Sequence, residues 1–173
     1  MLLARLRTLF FPALLASVLV QAAAFYLEFG LGLVPCPLCY SQRLFLGAFA
    51  LVCLCALVHS PGRLGTRVYA ALALFCATGG ALLAARHVWL QGNPALSSIE
   101  CQPAFDYVIE SMPMVQVIKV MVIGSADCVP INWSFLDLTL PEWSLLSFVL
   151  LATLPIVRLL GRGCPLFSRA GKS

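Results

Sequence analysis

The sequence predicts an all-α membrane protein, a four-transmembrane-helix bundle whose long outer loop carries a short interfacial helix. Three observations predict it. Of the 173 residues, 61% are hydrophobic and only 10% charged, against about 25% charged in ordinary soluble domains. The charges collect at the ends of long apolar runs. The basic and acidic residues fall on opposite sides of those runs.

The runs free of charge give the spans: 8–27, 44–62, 68–85 and, with Arg158 drawn out to the interface, 143–161. Each approaches the roughly 20 residues that a helix needs to cross about 30 Å of hydrocarbon. One integral domain, 1–173, accounts for the whole chain, with outer loops at 28–43 and 86–142. Arg5 and Arg7 before an apolar run, followed by Ala22, Ala23 and Ala24, have the look of a secretory leader. The run is longer than a leader's core, and small residues also serve helix contacts, so a retained helix is expected.

Arg5, Arg7, Arg63, Arg67, Arg158, Arg162, Arg169 and Lys172 lie on the side of the N-terminus. Only Arg43, Arg86 and Lys119 lie on the other, together with all seven acids. The positive-inside rule then puts both termini in the cytoplasm. The net charge of +4 comes from scattered residues, which speaks against a nucleic-acid surface and for a topology signal.

The eight cysteines sort by side. Cys36, Cys39, Cys101 and Cys128 face outward, Cys53, Cys55 and Cys76 lie within spans, and Cys164 is in the basic tail. Buried cysteine packs as a small hydrophobe, which is the reading for Cys53, Cys55 and Cys76; Cys164, before Pro165 with no partner in reach, is expected to be inert. Four outward cysteines allow three pairings; proximity along the chain favours Cys36–Cys39 and Cys101–Cys128. Cys39 stands at the expected start of the second helix, where the helix dipole favours an anion, and Arg43 is one turn on. Both features lower a thiol's pKa from its free value of ~8.5. Cys36, outside the helix, is expected to be the more accessible sulfur. A four-thiolate zinc site of Cys36, Cys39, Cys101 and Cys128 competes with the redox reading, but Cys101 and Cys128 lack the close spacing usual in such sites.

The stretch around Cys101, "QGNPALSSIECQPAF", is turn-rich and suits a loop that presents a cysteine. "MPMVQVIKVMVIG" is apolar but too short to span, so it is expected in the interface. Trp133 and Trp143 are candidate interfacial anchors, and Arg86, His87 and Trp89 cluster where the third span leaves the membrane. His87 there serves either an ordinary interfacial belt or as a hydrogen-bonding partner for a carbonyl oxygen.

Together, "CPLCYSQR" after the first span, "RHVWLQ" closing the third, a second outward cysteine pair and "ADC…W.FL.L..P.WSL" leading into the fourth resemble the DsbB family of bacterial inner-membrane proteins. The resemblance covers nearly the whole chain. It implies a protein dithiol:quinone oxidoreductase that reoxidises the periplasmic thiol oxidase DsbA and passes the electrons to membrane quinone, ubiquinone or menaquinone. By the same resemblance Cys101 meets DsbA, Cys128 resolves the mixed disulfide, and the oxidation state returns to Cys36–Cys39, through a transient Cys36–Cys128 bridge. Cys39 donates to the quinone, with Arg43 stabilising the developing charge and His87 a neighbour of the quinone. No resident metal is implied. Gln42, where an acid can occur, and the Pro37-Leu38 filling depart from the pattern. The vitamin K epoxide reductase type, also a four-helix bundle with two cysteine pairs, is the alternative enzyme class, and a structural or zinc-bearing membrane protein the alternative outside enzymes.

Overall fold

The computed structural model describes residues 2–59, 61–93, 113–125, 128–131 and 133–160. Cys101 and Cys164 lie outside them.

Helix α1 runs Leu2–Phe25 and continues as a single wider π turn, Tyr26–Gly30. Helix α2 spans Pro37–His59 and α3 Arg63–Gln91. A short helix α4, Met114–Ile123, is followed by a two-stranded antiparallel hairpin of β1 (Ser134–Phe135) and β2 (Leu138–Thr139). Helix α5, Leu140–Leu160, closes the bundle. Among the described residues, four helices are long and apolar enough to cross a membrane: Phe10–Gly30, Pro37–His59, Leu64–Gln91 and Leu140–Leu160. The chain is thus the four-helix membrane bundle that composition predicts, with α4 the short apolar helix outside the spans.

Polarity is arranged for lipid. Leu19, Leu51, Val58, Leu72, Phe75 and Leu150 face outward, since hydrocarbon does not penalise their exposure. The interior is drier in size than in polarity. Ala70, Ala73, Ala77 and Ala84 are fully buried on α3, and such small residues let helices approach closely where no hydrophobic force drives association. Helix α3 packs against both α2 and α5, while α1 packs on α2. Phe49 of α2 and Phe148 and Leu151 of α5 fill the remaining core with Cys53 and Cys76, which are buried among them.

Helices α2 and α3 reach furthest past the charge-free windows at the cysteine end. Helix α2 starts at Pro37, ahead of Arg43, because its first turn is covered: Ser41 Oγ donates to Met121 O of α4 at 2.7 Å, and Leu38 and Gln42 are buried. Helix α3 continues past Arg86 to Gln91 because that guanidinium lies on the exposed face. It stacks 4.4 Å over the Trp89 ring, and its Nε donates to Ile123 O at 3.3 Å. The long side chain reaches polar company while its stem stays on apolar surface. Gly92 then ends the helix, with Asn93 Nδ2 donating to Trp89 O at 2.8 Å.

One glycine is demanded by a close approach with positive φ. Gly124, at φ 91°, ends α4, and a Cβ there would meet Leu90 Cδ1 at 2.7 Å and Leu38 Cδ1 at 2.8 Å. The contact seats the end of α4 on both α2 and α3.

Gly80 does similar work inside the bundle, since a Cβ there would collide with the ring of Phe148, itself buried. Gly80→Leu is therefore expected to destabilise the bundle by about 1–3 kcal/mol, as overpacking does, with Gly80→Ala milder. Gly47→Ala, where a Cβ meets nothing within 4 Å, serves as the neutral control. Unfolding of the detergent-solubilised protein followed by circular dichroism measures all three; equal stability of Gly80→Leu and wild type would refute the packing assignment.

Candidate active site

Pro37 can open α2 because the first helical position needs no N–H donor. That makes Cys36 the residue flanking the helix and Cys39 the third residue within it. The Cys36 carbonyl accepts from the backbone N–H of Cys39 at 2.9 Å and of Tyr40 at 3.2 Å. Side chains at these two positions lean toward each other, as in a capping box. Their sulfurs are unbonded and 3.3 Å apart, against about 2.05 Å in a disulfide.

The extension of α3 brings His87 beneath them. Its Nε2 is 3.7 Å from Cys36 Sγ, and its Nδ1 lies 3.9 Å from Cys39 Sγ and 3.4 Å from Gln42 Nε2. The imidazole is 3% exposed and Gln42 5%. The third sulfur arrives from the segment after α4. Cys128, 1% exposed, has its backbone N–H donating to Ser125 O at 3.0 Å. The ligating atoms of Cys36, His87 and Cys128 all lie within 4.8 Å of one another.

Cys36 is not the more accessible sulfur. It is buried at 8% exposure, packed with Cys128, Leu38, Leu83 and Leu90, while Cys39 is half-buried at the cavity wall. Cys128 packs against Cys36, a contact that the latter's place outside the helix did not disclose.

Among the described residues, the two sulfurs outside the spans differ in acidity. Cys36 donates its proton toward Cys128, which holds the Cys128 thiol down at about 6 despite its burial, with backbone groups of Ser125 and Leu38 helping. The same hydrogen bond, the one to Cys39 and burial push the Cys36 thiol up. Cys36 is therefore the sulfur that keeps its proton and Cys128 the one that gives it up.

A cavity of about 110 Å³ opens beside this cluster between α1, α2 and α5. Cys36, Cys39, Gln42, Arg43, Glu28 and His87 are among its polar lining, and Val20, Leu46, Trp133 and Phe148 among its apolar lining. An apolar pocket with a few convergent polar groups is the usual form of a small-molecule site.

Arg43 lines that cavity with its guanidinium already paired at the cavity wall, where Glu28 and Ala24 also stand. It forms an ion pair with Glu28, its Nη2 donates to Ala24 O at 2.9 Å, and it lies 5.3 Å over the Phe25 ring. These contacts tie α2 to the widened end of α1. Glu28 is a site residue that motif reading did not single out, and Gln42, noted there only as a departure from the family pattern, stands beside His87. For Glu28 the signal was present, because it is the only acid before residue 100. Cys101 lies outside the described residues, so the geometry of a Cys101–Cys128 pair does too.

Four membrane-length helices with three sulfurs and an imidazole gathered at one end define a membrane protein built for thiol–disulfide chemistry. The family model described as disulfide bond formation protein DsbB matches residues 6–157. The chain belongs to the DsbB family. It is 58% identical over 154 residues to disulfide bond formation protein B 2 of Pseudomonas entomophila, covering 89% of this chain and 90% of that relative. It is also 42% identical over 160 residues to disulfide bond formation protein B of Stutzerimonas stutzeri, covering 92% and 98%. Against the Methylococcus capsulatus protein of the same description the figure is 43% over 143 residues, covering 83% and 87%.

The acidity of Cys128 can be read by alkylation. In the reduced protein, iodoacetamide labelling of Cys128, followed residue by residue by mass spectrometry, is expected to have a pH midpoint near 6. The reactive thiolate persists above that midpoint and is lost as pH falls through it. Burial slows the reaction and works against the low midpoint. Cys36→Ala should raise the midpoint toward the free-thiol value of ~8.5; an unmoved midpoint would contradict the hydrogen bond from Cys36.

Proposed function

We propose that this thiol oxidoreductase of disulfide formation reoxidises a DsbA-like periplasmic thiol oxidase and delivers its electrons to a membrane quinone, ubiquinone in the first instance. One observation carries the reading. Cys36 sits between Cys39, 3.3 Å away, and Cys128, within 4.8 Å, at the wall of an apolar cavity. Sulfurs in such a row can pass a disulfide along by exchange, each thiolate displacing the next.

The DsbA dithiol is oxidised to a disulfide, releasing two electrons and two protons. Thiolate attack joins one DsbA sulfur to Cys101 and frees Cys128. DsbA's second thiolate, rather than Cys128, then displaces Cys101 and DsbA leaves as the disulfide; attack by Cys128 would only return reduced DsbA. The Cys101–Cys128 dithiol is reoxidised by exchange with the Cys36–Cys39 disulfide, through a Cys36–Cys128 bridge. The Cys36–Cys39 dithiol that results lies on the cavity.

A bound quinone supplies a two-electron, two-proton acceptor at a potential that ordinary dithiols lack; DsbA itself stands at about −120 mV. The residues present suit such a group. The apolar lining suits its ring and tail, and Gln42, His87 and Arg43 are the polar groups that would meet its oxygens. Cys39, half-buried at the cavity, would be the electron-donating sulfur. Arg43, held in place by Glu28, would present positive charge to the oxygen where negative charge develops. Charge asymmetry along the chain supports a bacterial inner-membrane setting, with the cysteine end in the periplasm and both termini in the cytoplasm.

With reduced DsbA as donor, Cys39→Ala membranes are expected to show quinone reduction at the uncatalysed background. Cys101→Ala should block reduction by DsbA while leaving reduction by a small membrane-permeant dithiol. Quinone absorbance in membranes or proteoliposomes reads both. Wild-type rates in Cys39→Ala would sink the mechanism.

A further inference from the structure

The buried cluster has the composition and spacing of a metal site as well as of a thiol relay. In a tetrahedral zinc centre, Zn–S bonds of about 2.3 Å and Zn–N bonds of about 2.0–2.1 Å place neighbouring ligand atoms about 3.6–3.8 Å apart. Cys36 Sγ and His87 Nε2 are 3.7 Å apart, and Cys128 Sγ completes a triangle whose sides stay within 4.8 Å. Cys39 Sγ, 3.3 Å from Cys36 Sγ, is near enough to take a fourth position. Gln42 supplies what metal-bound imidazoles require on the far nitrogen. Turned oxygen first, its amide would accept from Nδ1–H, the second contact that fixes a ligating ring. The three core ligands are all buried, so little water competes for the ion.

We propose that the reduced site binds a closed-shell thiophilic cation of the Zn²⁺ class through Cys36, Cys128 and His87, with Cys39 as the fourth ligand. Binding and disulfide exchange then exclude one another. The inference rests on the reading of Cys36–Cys39 as a pair that cycles between dithiol and disulfide. No electron moves on binding: each ligating thiol releases its proton and forms one metal–sulfur bond. Oxidation to the Cys36–Cys39 disulfide removes two of the four ligands and ejects the ion. The set differs from a four-thiolate site because His87 stands in place of Cys101. The consequence is a redox-gated block, in which the cation traps the protein only in its electron-loaded state and a chelator restores it.

The test uses the purified full chain, fully reduced or fully oxidised, titrated with Zn²⁺ against a chromophoric chelator. One equivalent per reduced chain is expected, with affinity at least about a hundredfold lower after oxidation. His87→Ala and Cys128→Ser should each weaken binding by about tenfold or more, at least the effect of losing an outer-shell partner. Cys101→Ala and the control Cys55→Ala should leave it unchanged. Co²⁺ in place of Zn²⁺ should give tetrahedral d–d and thiolate charge-transfer bands that fade in the same two variants, and circular dichroism verifies that each variant is folded. Equal affinity of oxidised and reduced protein would overturn the proposal. So would binding lost in Cys101→Ala but kept in His87→Ala. Metal-free quinone reduction on the same preparations separates the two readings: activity without reduced-state Zn²⁺ binding sinks only the metal site, and binding without activity sinks only the proposed function.

Discussion

Backbone polar groups inside a bilayer have no water to turn to, and each one left unpaired costs several kcal/mol. Chain reversals are therefore confined to the rims of the hydrocarbon. In this chain that constraint decides where the reactive pair can stand. The chain leaves α1 through a π turn and re-enters at Pro37, whose missing N–H costs nothing at a helix start. Cys36 and Cys39 consequently occupy the flanking and third positions of a helix entering the membrane. Their side chains converge there, and the third sulfur and the imidazole are arranged around that start.

The second consequence concerns α3. Ended at Ala85, it would leave His87 in a loop. It continues to Gln91 because Arg86 finds the Trp89 ring and the Ile123 carbonyl at the surface. The same contact holds the end of α4, where Gly124 allows Leu38 and Leu90 to close against the turn. From there Ser125 leads Cys128 down onto Cys36. The interfacial cation thus shares the placing of the imidazole and the third sulfur with the Ser41–Met121 hydrogen bond and the Gly124 contacts.

Much of this was legible in the sequence, for physical reasons that differ by feature. Spans are set by composition over some twenty residues, and sidedness by charge counts, so both survive ignorance of packing. The cysteines declare themselves by residue type. What could not be read depends on contacts between residues far apart in the chain. The Arg43–Glu28 pair, the burial of Cys36 and the place of Gln42 beside His87 belong to this class. The hairpin escaped for a local reason. Leu136 and Asp137 take positive φ, at 54° and 60°, in a turn that usually signals itself with Asn-Gly or Asp-Gly. It persists here because Glu142 accepts from the backbone and hydroxyl of Thr139, and Trp143 Nε1 donates to Phe135 O at 3.1 Å.

The division of charge at the site follows from these contacts. A cation one turn beyond Cys39 invites the expectation of a thiolate–guanidinium pair. The guanidinium is instead paired with Glu28, and both side chains are more than four-fifths buried. Removing Glu28 would strand a buried charge, a costly outcome, so Arg43 is held as a fixed feature of the cavity wall rather than as a counter-ion free to follow sulfur. The polar contacts of Cys39 Sγ are then Cys36 and the imidazole. In a low-dielectric setting an isolated thiolate is expensive. Three sulfurs around one imidazole spread that cost, because the single thiol proton of Cys36 can turn to either Cys39 or Cys128. A disulfide can then move among the three with little charge brought to the surface. That property makes the cluster suitable for relaying oxidation state, and it equally makes the reduced cluster attractive to a soft cation.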